Sequence, residues 1–215
     1  MRIITEGNQD EIIHDLLNGQ TLVFPTETSY GLGCDAANQA AVDAIFKIKG
    51  RPSDKPLLIV VPTVEGAKKY LVWNELLEKI SKKYWPGPLT VVGECKKYPI
   101  SNISEIPLTT GQYPLLSKGV VSKENTVAVR VTAHPLLQSI TEKMGRPLVA
   151  TSANLSDTGD IYDAKKIIAQ FSEQKFQPDG ILDYGTISRQ APTTIVSVVG
   201  NILKILRQGE INVAI

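Results

Sequence analysis

Apolar and polar positions along this chain change period repeatedly, and each change marks an element. Over residues 10–17, Ile12, Ile13, Leu16 and Leu17 recur at helical spacing, with Asn8 placed to cap the start and Gly19 to end it. Thr21-Leu22-Val23-Phe24 reads as a buried strand closed by Pro25, and a second helix from Asn38 carries Val42, Ile45 and Ile48 before stopping at Gly50. A continuous apolar run follows at 57–61, then helical patterns at 64–71 and 75–84, then a strand at 89–92 behind Pro86-Gly87-Pro88. Farther on, the pattern predicts a strand at 126–131, a helix at 135–144, a strand at 148–150 and a helix at 164–171. Strands at 194–199 and 202–206 are split by Gly200-Asn201, a hairpin-like turn. The alternation implies an α/β sheet with helices on its faces, and the late hairpin makes that sheet mixed.

Between about 96 and 125 the pattern weakens, and Pro99, Pro107, Gly111, Pro114 and Gly119 punctuate a polar stretch. A loop of this length inside a compact domain is usually a functional lid or simply mobile. With no repeat and no clear linker, residues 1–215 read as a single domain.

Composition narrows the function classes. Hydrophobic residues make up 42% and charged residues 21%, an ordinary globular balance. Twenty-three Lys+Arg against 22 Asp+Glu leave a formal charge of +1, so no global field draws the chain onto nucleic acid or membrane. An anion site must therefore come from local clustering. Cys34 and Cys95 are too few for a disulfide framework or a zinc ribbon and fit a reducing compartment. The start of the chain lacks the apolar core of a signal peptide and no run is long enough to span a bilayer, so cytoplasmic residence without membrane contact is expected.

The clearest cluster is Lys49-Gly50-Arg51 with Lys55, three cations in one short turn whose shape Gly50, Pro52 and Pro56 restrict. Arginine offers a planar fork to phosphate or carboxylate and lysine a point charge, so the mixture suits a triphosphate. A second concentration, from Pro25 to Gly33, packs hydroxyls, the Glu27 carboxylate and two glycines into one turn leaving a strand, where α/β sheets bind ligands. Gly31 to Ala36 also satisfies a loose dinucleotide pattern, but no ribose carboxylate follows at the required distance, so the match carries no function. No P-loop and no His-Glu-x-x-His motif is present. Ser152 and Asn154 supply a hydroxyl and an amide after a strand, and Arg130 interrupts the apolar strand Val127-Ala128-Val129. A buried guanidinium is costly without an anionic partner, so Arg130 calls for one, and Arg207 poses the same question more mildly.

Five blocks in series resemble the YrdC-type threonylcarbamoyl-AMP synthase family. They are Pro25-Thr-Glu-Thr-Ser-Tyr-Gly-Leu-Gly, Lys49-Gly-Arg-Pro with Lys55-Pro-Leu, Trp85-Pro-Gly-Pro-Leu-Thr, Thr126-Val-Ala-Val-Arg-Val with His134-Pro, and Ser152-Ala-Asn-Leu-Ser. Their order and spacing match over nearly the whole chain. The resemblance implies a YrdC-like twisted mixed sheet flanked by helices around a basic cleft. It implies a nucleotidyltransferase that joins L-threonine, bicarbonate and ATP into threonylcarbamoyl-AMP, releasing pyrophosphate, for threonylcarbamoyl modification of tRNA adenosine. Mg²⁺ accompanies the ATP, with no protein-bound metal, and downstream tRNA threonylcarbamoyl-transfer proteins take the product.

By the same resemblance, Lys49 and Arg51 are the catalytic cations, bridging the carboxylated threonine and the triphosphate. Thr28, Lys49, Arg130, Ala150 and Thr193 hold threonine or its carbamate, and Arg51, Lys55, Thr126, Ser152, Asn154 and Arg207 hold ATP. The chain departs from the family pattern at Lys55, at Val60, at Asp157 and in the length of the 96–125 stretch. The competing expectation from the residues alone is a non-catalytic RNA-binding module whose basic cleft contacts tRNA or duplex RNA.

Overall fold

Strand side chains alternate between the two faces of one mixed sheet, and the helices sort to those faces accordingly. The computed structural model describes residues 1–5, 9–96, 115–156 and 158–214. Asn8 as a helix cap, residues 97–114 of the long loop, and Asp157 lie outside the described residues. The strands are β1 (Arg2–Ile4), β2 (Leu22–Pro25), β3 (Tyr30–Asp35), β4 (Ile59–Val61), β5 (Leu89–Glu94), β6 (Thr126–Val131), β7 (Leu148–Ser152), β8 (Gly180–Leu182), β9 (Thr194–Val199) and β10 (Ile202–Arg207). The helices are α1 (Gln9–Leu17), α2 (Gln39–Lys49), α3 (Val64–Lys68), α4 (Glu75–Tyr84), α5 (Pro135–Met144) and α6 (Ala164–Ser172). Among the described residues the strands form a ten-stranded sheet in the order β1-β8-β2-β3-β7-β4-β6-β5-β9-β10. Parallel pairs such as β4 with β6 and β5 with β9 alternate with antiparallel ones such as β2 with β3 and β3 with β7.

Local chemistry sets the helix ends. The Asn38 side chain accepts from the Ala41 N–H at 3.1 Å, and Gly50 ends α2 in the left-handed region at φ 59°. The Arg51 N–H then closes onto the Phe46 carbonyl at 3.0 Å, so the chain leaves α2 in a defined direction. Asn74 caps α4 in the same way, accepting from the Leu77 N–H at 2.8 Å.

Three strands, β1, β3 and β8, are absent from the sequence-based expectation. β1 and β8 are three residues each, too short to display a period. β3 carries Gly31 and Gly33, which make it look like a continuation of the preceding turn, yet it pairs with β2 on one side and β7 on the other. The glycines serve close approach there: a Cβ on Gly33 would sit 2.0 Å from the Val149 carbonyl oxygen and 2.7 Å from the Phe24 ring. The turn between β2 and β3 is consequently only 26–29. The apolar run at 57–61 forms a strand only over Ile59–Val61, and α3 is shorter than its 64–71 pattern.

One face of the sheet is covered by helices on both halves, where Val23, Leu32, Ile45, Ile59, Val91, Val129 and Phe171 form a buried cluster. On the other face α1 and α5 pack together over one half, burying Leu16, Phe24, Val60, Leu137 and Leu148. Residues paired across adjacent strands point to the same face, and Val60 pairs with Arg130, Val92 with Ala128, and Thr90 with Ile195. The uncovered half of that second face is therefore paved by β5, β6 and β9, and it forms the floor of a cleft. Because Gly33 has backbone on one side and an aromatic ring on the other, Gly33→Ala is expected to lower the unfolding free energy by at least about 2 kcal/mol, measured by urea denaturation.

Candidate active site

The cleft encloses about 420 Å³, within the size range of small-molecule sites. Its floor is Thr90, Val92, Ala128 and Arg130, its near wall comes from the β2–β3 turn and from β7, and its far wall from β9 and β10. Of the residues singled out in the sequence, Thr28, Arg51, Arg130, Ala150, Ser152, Thr193 and Arg207 line it. The elements explain how. Thr26 Oγ1 accepts from the Thr28 and Ser29 N–H groups at 3.1 and 3.3 Å and donates to the Ser29 carbonyl at 2.7 Å, which fixes the turn that presents Thr28.

Arg130 is 4% exposed, and burial weakens its hold on the proton. Glu27 works against that shift and the neighbouring Arg207 adds to it, while the guanidinium stays charged. Its Nε is buried with no hydrogen-bond partner, and the Glu27 carboxylate stands 3.6 Å away. Arg207 is held by Thr193: its Nη2 donates to the Thr193 carbonyl at 2.8 Å and to the hydroxyl at 3.1 Å, and its Nε to the same carbonyl at 3.2 Å. The Thr193 hydroxyl lies 3.2 Å from that of Thr90. Two guanidiniums on one cleft repel each other, and an anion between them relieves both.

Four candidate residues lie elsewhere. Lys49 is 3% exposed and does not line the cleft. Its Nζ donates to the carbonyls of Ser152 at 2.5 Å and Asn154 at 2.7 Å, and to the Asn154 side-chain oxygen at 3.1 Å. The three protons of the ammonium are thereby engaged, so in this arrangement Lys49 ties the end of β7 to the end of α2. Asn154 is 6% exposed and occupied by that contact. Lys55 offers its backbone rather than its ammonium: its carbonyl accepts from Arg51 Nε at 3.0 Å, and the Pro56 carbonyl accepts from Arg51 Nη2 at 3.2 Å. Thr126 sits at the far start of β6, its hydroxyl 2.8 Å from that of Ser122.

Several lining residues carry no assignment from sequence. Thr90 is legible only once the parity of β5 is known, and Thr151 joins β7 because the strand runs past Ala150 to Ser152. Asp160, the one acidic residue lining the cleft among the described residues, lies in a polar segment with no periodic signal. Glu27 stands behind the lining, where both of its oxygens accept from the Thr132 hydroxyl, at 3.3 and 3.2 Å.

Comparison with known proteins adds a second line of observation. The family model named for Sua5, YciO and YrdC, described as telomere recombination, matches residues 14–209. The chain belongs to this family. Among curated members, the threonylcarbamoyl-AMP synthase of Vibrio vulnificus is 32% identical over 207 residues, covering 94% of this chain and 99% of that protein. The Bacillus subtilis protein of the same name is 32% identical over 197 residues, and this chain spans 51% of its length. Among solved structures, P. abyssi Sua5 complexed with L-threonine matches with a TM-score of 0.79 and 28% identity, covering 97% of this chain and 57% of that one. E. coli YciO, at 20% identity and TM-score 0.74, shares the fold. The Sua5/YciO/YrdC architecture accounts for the mixed sheet with helices on its faces.

Lys49 also gives a pH-dependent signature. Burial first, and then the nearby Arg51, lower its pKa to about 8, against a smaller opposing effect of Asp160. In the unfolded chain a lysine titrates near about 10.4. Between those values the unfolded state binds more protons, so the contribution of this group to stability rises with pH across the window. Relative to Lys49→Met, the wild-type protein is expected to gain stability as pH rises from about 8 to about 10.4, in urea titrations at each pH. Parallel curves for the two proteins would return Lys49 to an ordinary lysine pKa.

Proposed function

We propose that the cleft binds ATP, L-threonine and bicarbonate and forms threonylcarbamoyl-AMP with release of pyrophosphate. The chain is a nucleotidyltransferase of tRNA modification. Arg130 carries this reading: a guanidinium buried in a strand and lining a cleft of small-molecule size suits a small carboxylate far better than a nucleic-acid backbone. The shared name of the curated relatives and the threonine in the P. abyssi complex support it.

The chemistry explains the residue types. The threonine amine takes up the carbon of bicarbonate, water leaves, and a carbamate results. A carbamate oxygen then attacks the α-phosphorus of ATP, the bond to the bridging oxygen breaks, and pyrophosphate departs. Two anions must approach each other, so the demand is for alignment and positive charge, with no side-chain nucleophile. In this assignment Arg130 meets the threonine carboxylate, and Thr28, Thr193 and the Ala150 backbone frame the amino acid. Arg51, Ser152 and Arg207 face the nucleotide. Lys49 and Asn154 hold the β7 exit that carries Ser152, and Lys55 acts through its carbonyl, which steadies Arg51.

Mg²⁺ neutralises phosphate charge when it accompanies the nucleotide. Asp160, which lines the cleft, is the carboxylate that would stand near an ion carried on the phosphates. No described helix is long and apolar enough to cross a membrane. The proposed activity places the protein in the cytoplasm, beside proteins that transfer the threonylcarbamoyl group to tRNA.

Pyrophosphate release is expected only with ATP, threonine and bicarbonate together, followed by a coupled phosphatase assay with each omitted in turn. Release at an equal rate without threonine would sink the proposal. Arg130→Ala is expected to lower kcat/KM for threonine by about 10²-fold while the protein stays folded by circular dichroism.

A further inference from the structure

Glu27 lies in the β2–β3 turn next to Thr26 and Thr28, both of which line the cleft, but Glu27 itself does not. Its side chain is 17% exposed and reaches toward Arg130 and Thr132. In the sheet order β2-β3-β7-β4-β6, two strands separate the β2–β3 hairpin from β6. Glu27 crosses that span: both oxygens accept from the Thr132 hydroxyl just beyond β6, and Oε1 is 3.6 Å from Arg130 Nε. Thr132 is fully buried, and its hydroxyl also accepts from the His134 N–H at 3.1 Å, so the hydroxyl that donates to Glu27 is held rigidly.

The other charged and titratable groups near Arg130 are Arg207, which repels it, and His134, whose burial lowers its pKa and favours the neutral ring. The negative charge that holds the guanidinium in place is therefore that of Glu27. An oxygen 3.6 Å from Nε attracts the cation without forming a hydrogen bond and leaves the Nη groups uncommitted to that carboxylate. Resting on the threonine assignment above, we propose that Glu27 is a positioning residue, setting the Arg130 guanidinium where its cleft side meets the threonine carboxylate. The same clasp fixes the distance between Thr28 on the turn and Arg130 on the floor, so one carboxylate sets both edges of the amino-acid subsite.

A residue that only stabilises the fold would affect both substrates alike, and this one is expected to act on one. In the pyrophosphate assay, Glu27→Gln should raise the KM for threonine by about tenfold or more, since an ångström of misplacement costs up to about 10²-fold. The KM for ATP should stay within about twofold, the scatter of an indifferent substitution. Thr132→Val, which keeps the carboxylate but removes the hydroxyl that orients it, should show a smaller rise of the same selectivity. If Glu27→Gln does not fold, Thr132→Val carries the test. An unchanged threonine KM, or equal rises for both substrates, overturns the proposal while leaving the synthase reading intact. Threonine-independent release by the wild-type protein overturns both.

Discussion

The Arg130 guanidinium, 4% exposed in the middle of a strand, has to be compensated by negative charge, and Glu27 at 3.6 Å supplies the part that the protein itself provides. Isolated in a low-dielectric interior such a cation would be prohibitively costly. It is tolerable here because the fold leaves half of one sheet face uncovered, so the guanidinium has an open cleft on one side and a carboxylate on the other. Had α1 and α5 covered the whole face, as helices do on the opposite side, an arginine at this position could not stand. The half-covered face and the buried arginine thus depend on each other, and the site lies where they meet.

The two cations that end α2 illustrate how two residues apart in sequence can have unrelated tasks. Gly50 turns the chain so that Lys49 points inward and Arg51 toward the cleft. Lys49 finds three oxygens at the end of β7, and Arg51 is steadied by the carbonyls of Lys55 and Pro56 while remaining at the rim. Carbonyl oxygens carry only partial charge, so they stabilise the ammonium less than a carboxylate would, and burial prevails in lowering the Lys49 pKa. The cation that looks most exposed to ligand in a linear reading is the one the fold spends on its own backbone.

Those contacts mark the boundary of what the sequence makes legible. The helices with side-chain caps and a clear apolar stripe, α2 and α4, and the valine-rich strand β6 are readable because each signal is local. So is the oddity of Arg130, an ionic side chain among valines. β3 is not, because Gly31 and Gly33 answer to the Phe24 ring and the Val149 carbonyl, neither of which a local window contains. The direction of the Lys49 ammonium depends on carbonyls 103 and 105 residues away, and the partners of Glu27 are equally remote in sequence. Charge type and loop chemistry can be read along the chain, whereas the side of the cleft on which a charge ends up is settled by strand order.

The far wall of the cleft follows the same logic under a harder condition. β10 is the last strand of the sheet, paired only with β9, and a shift in register between Ile205 and Arg207 interrupts that pairing. Most of its residues are exposed, Ile202 and Leu206 at 64% and 57% among them. An edge strand with so little packing would fray and take the wall with it. Arg207 counters this by binding both the carbonyl and the hydroxyl of Thr193, while the Thr194 hydroxyl accepts from the N–H groups of Gly209 and Ile211. These contacts close the loop after β10 back onto the start of β9. Arg207 can therefore offer charge to the cleft only because part of its fork is already committed to Thr193, which places a cation on the least buried strand of the sheet without leaving it free to swing into solvent.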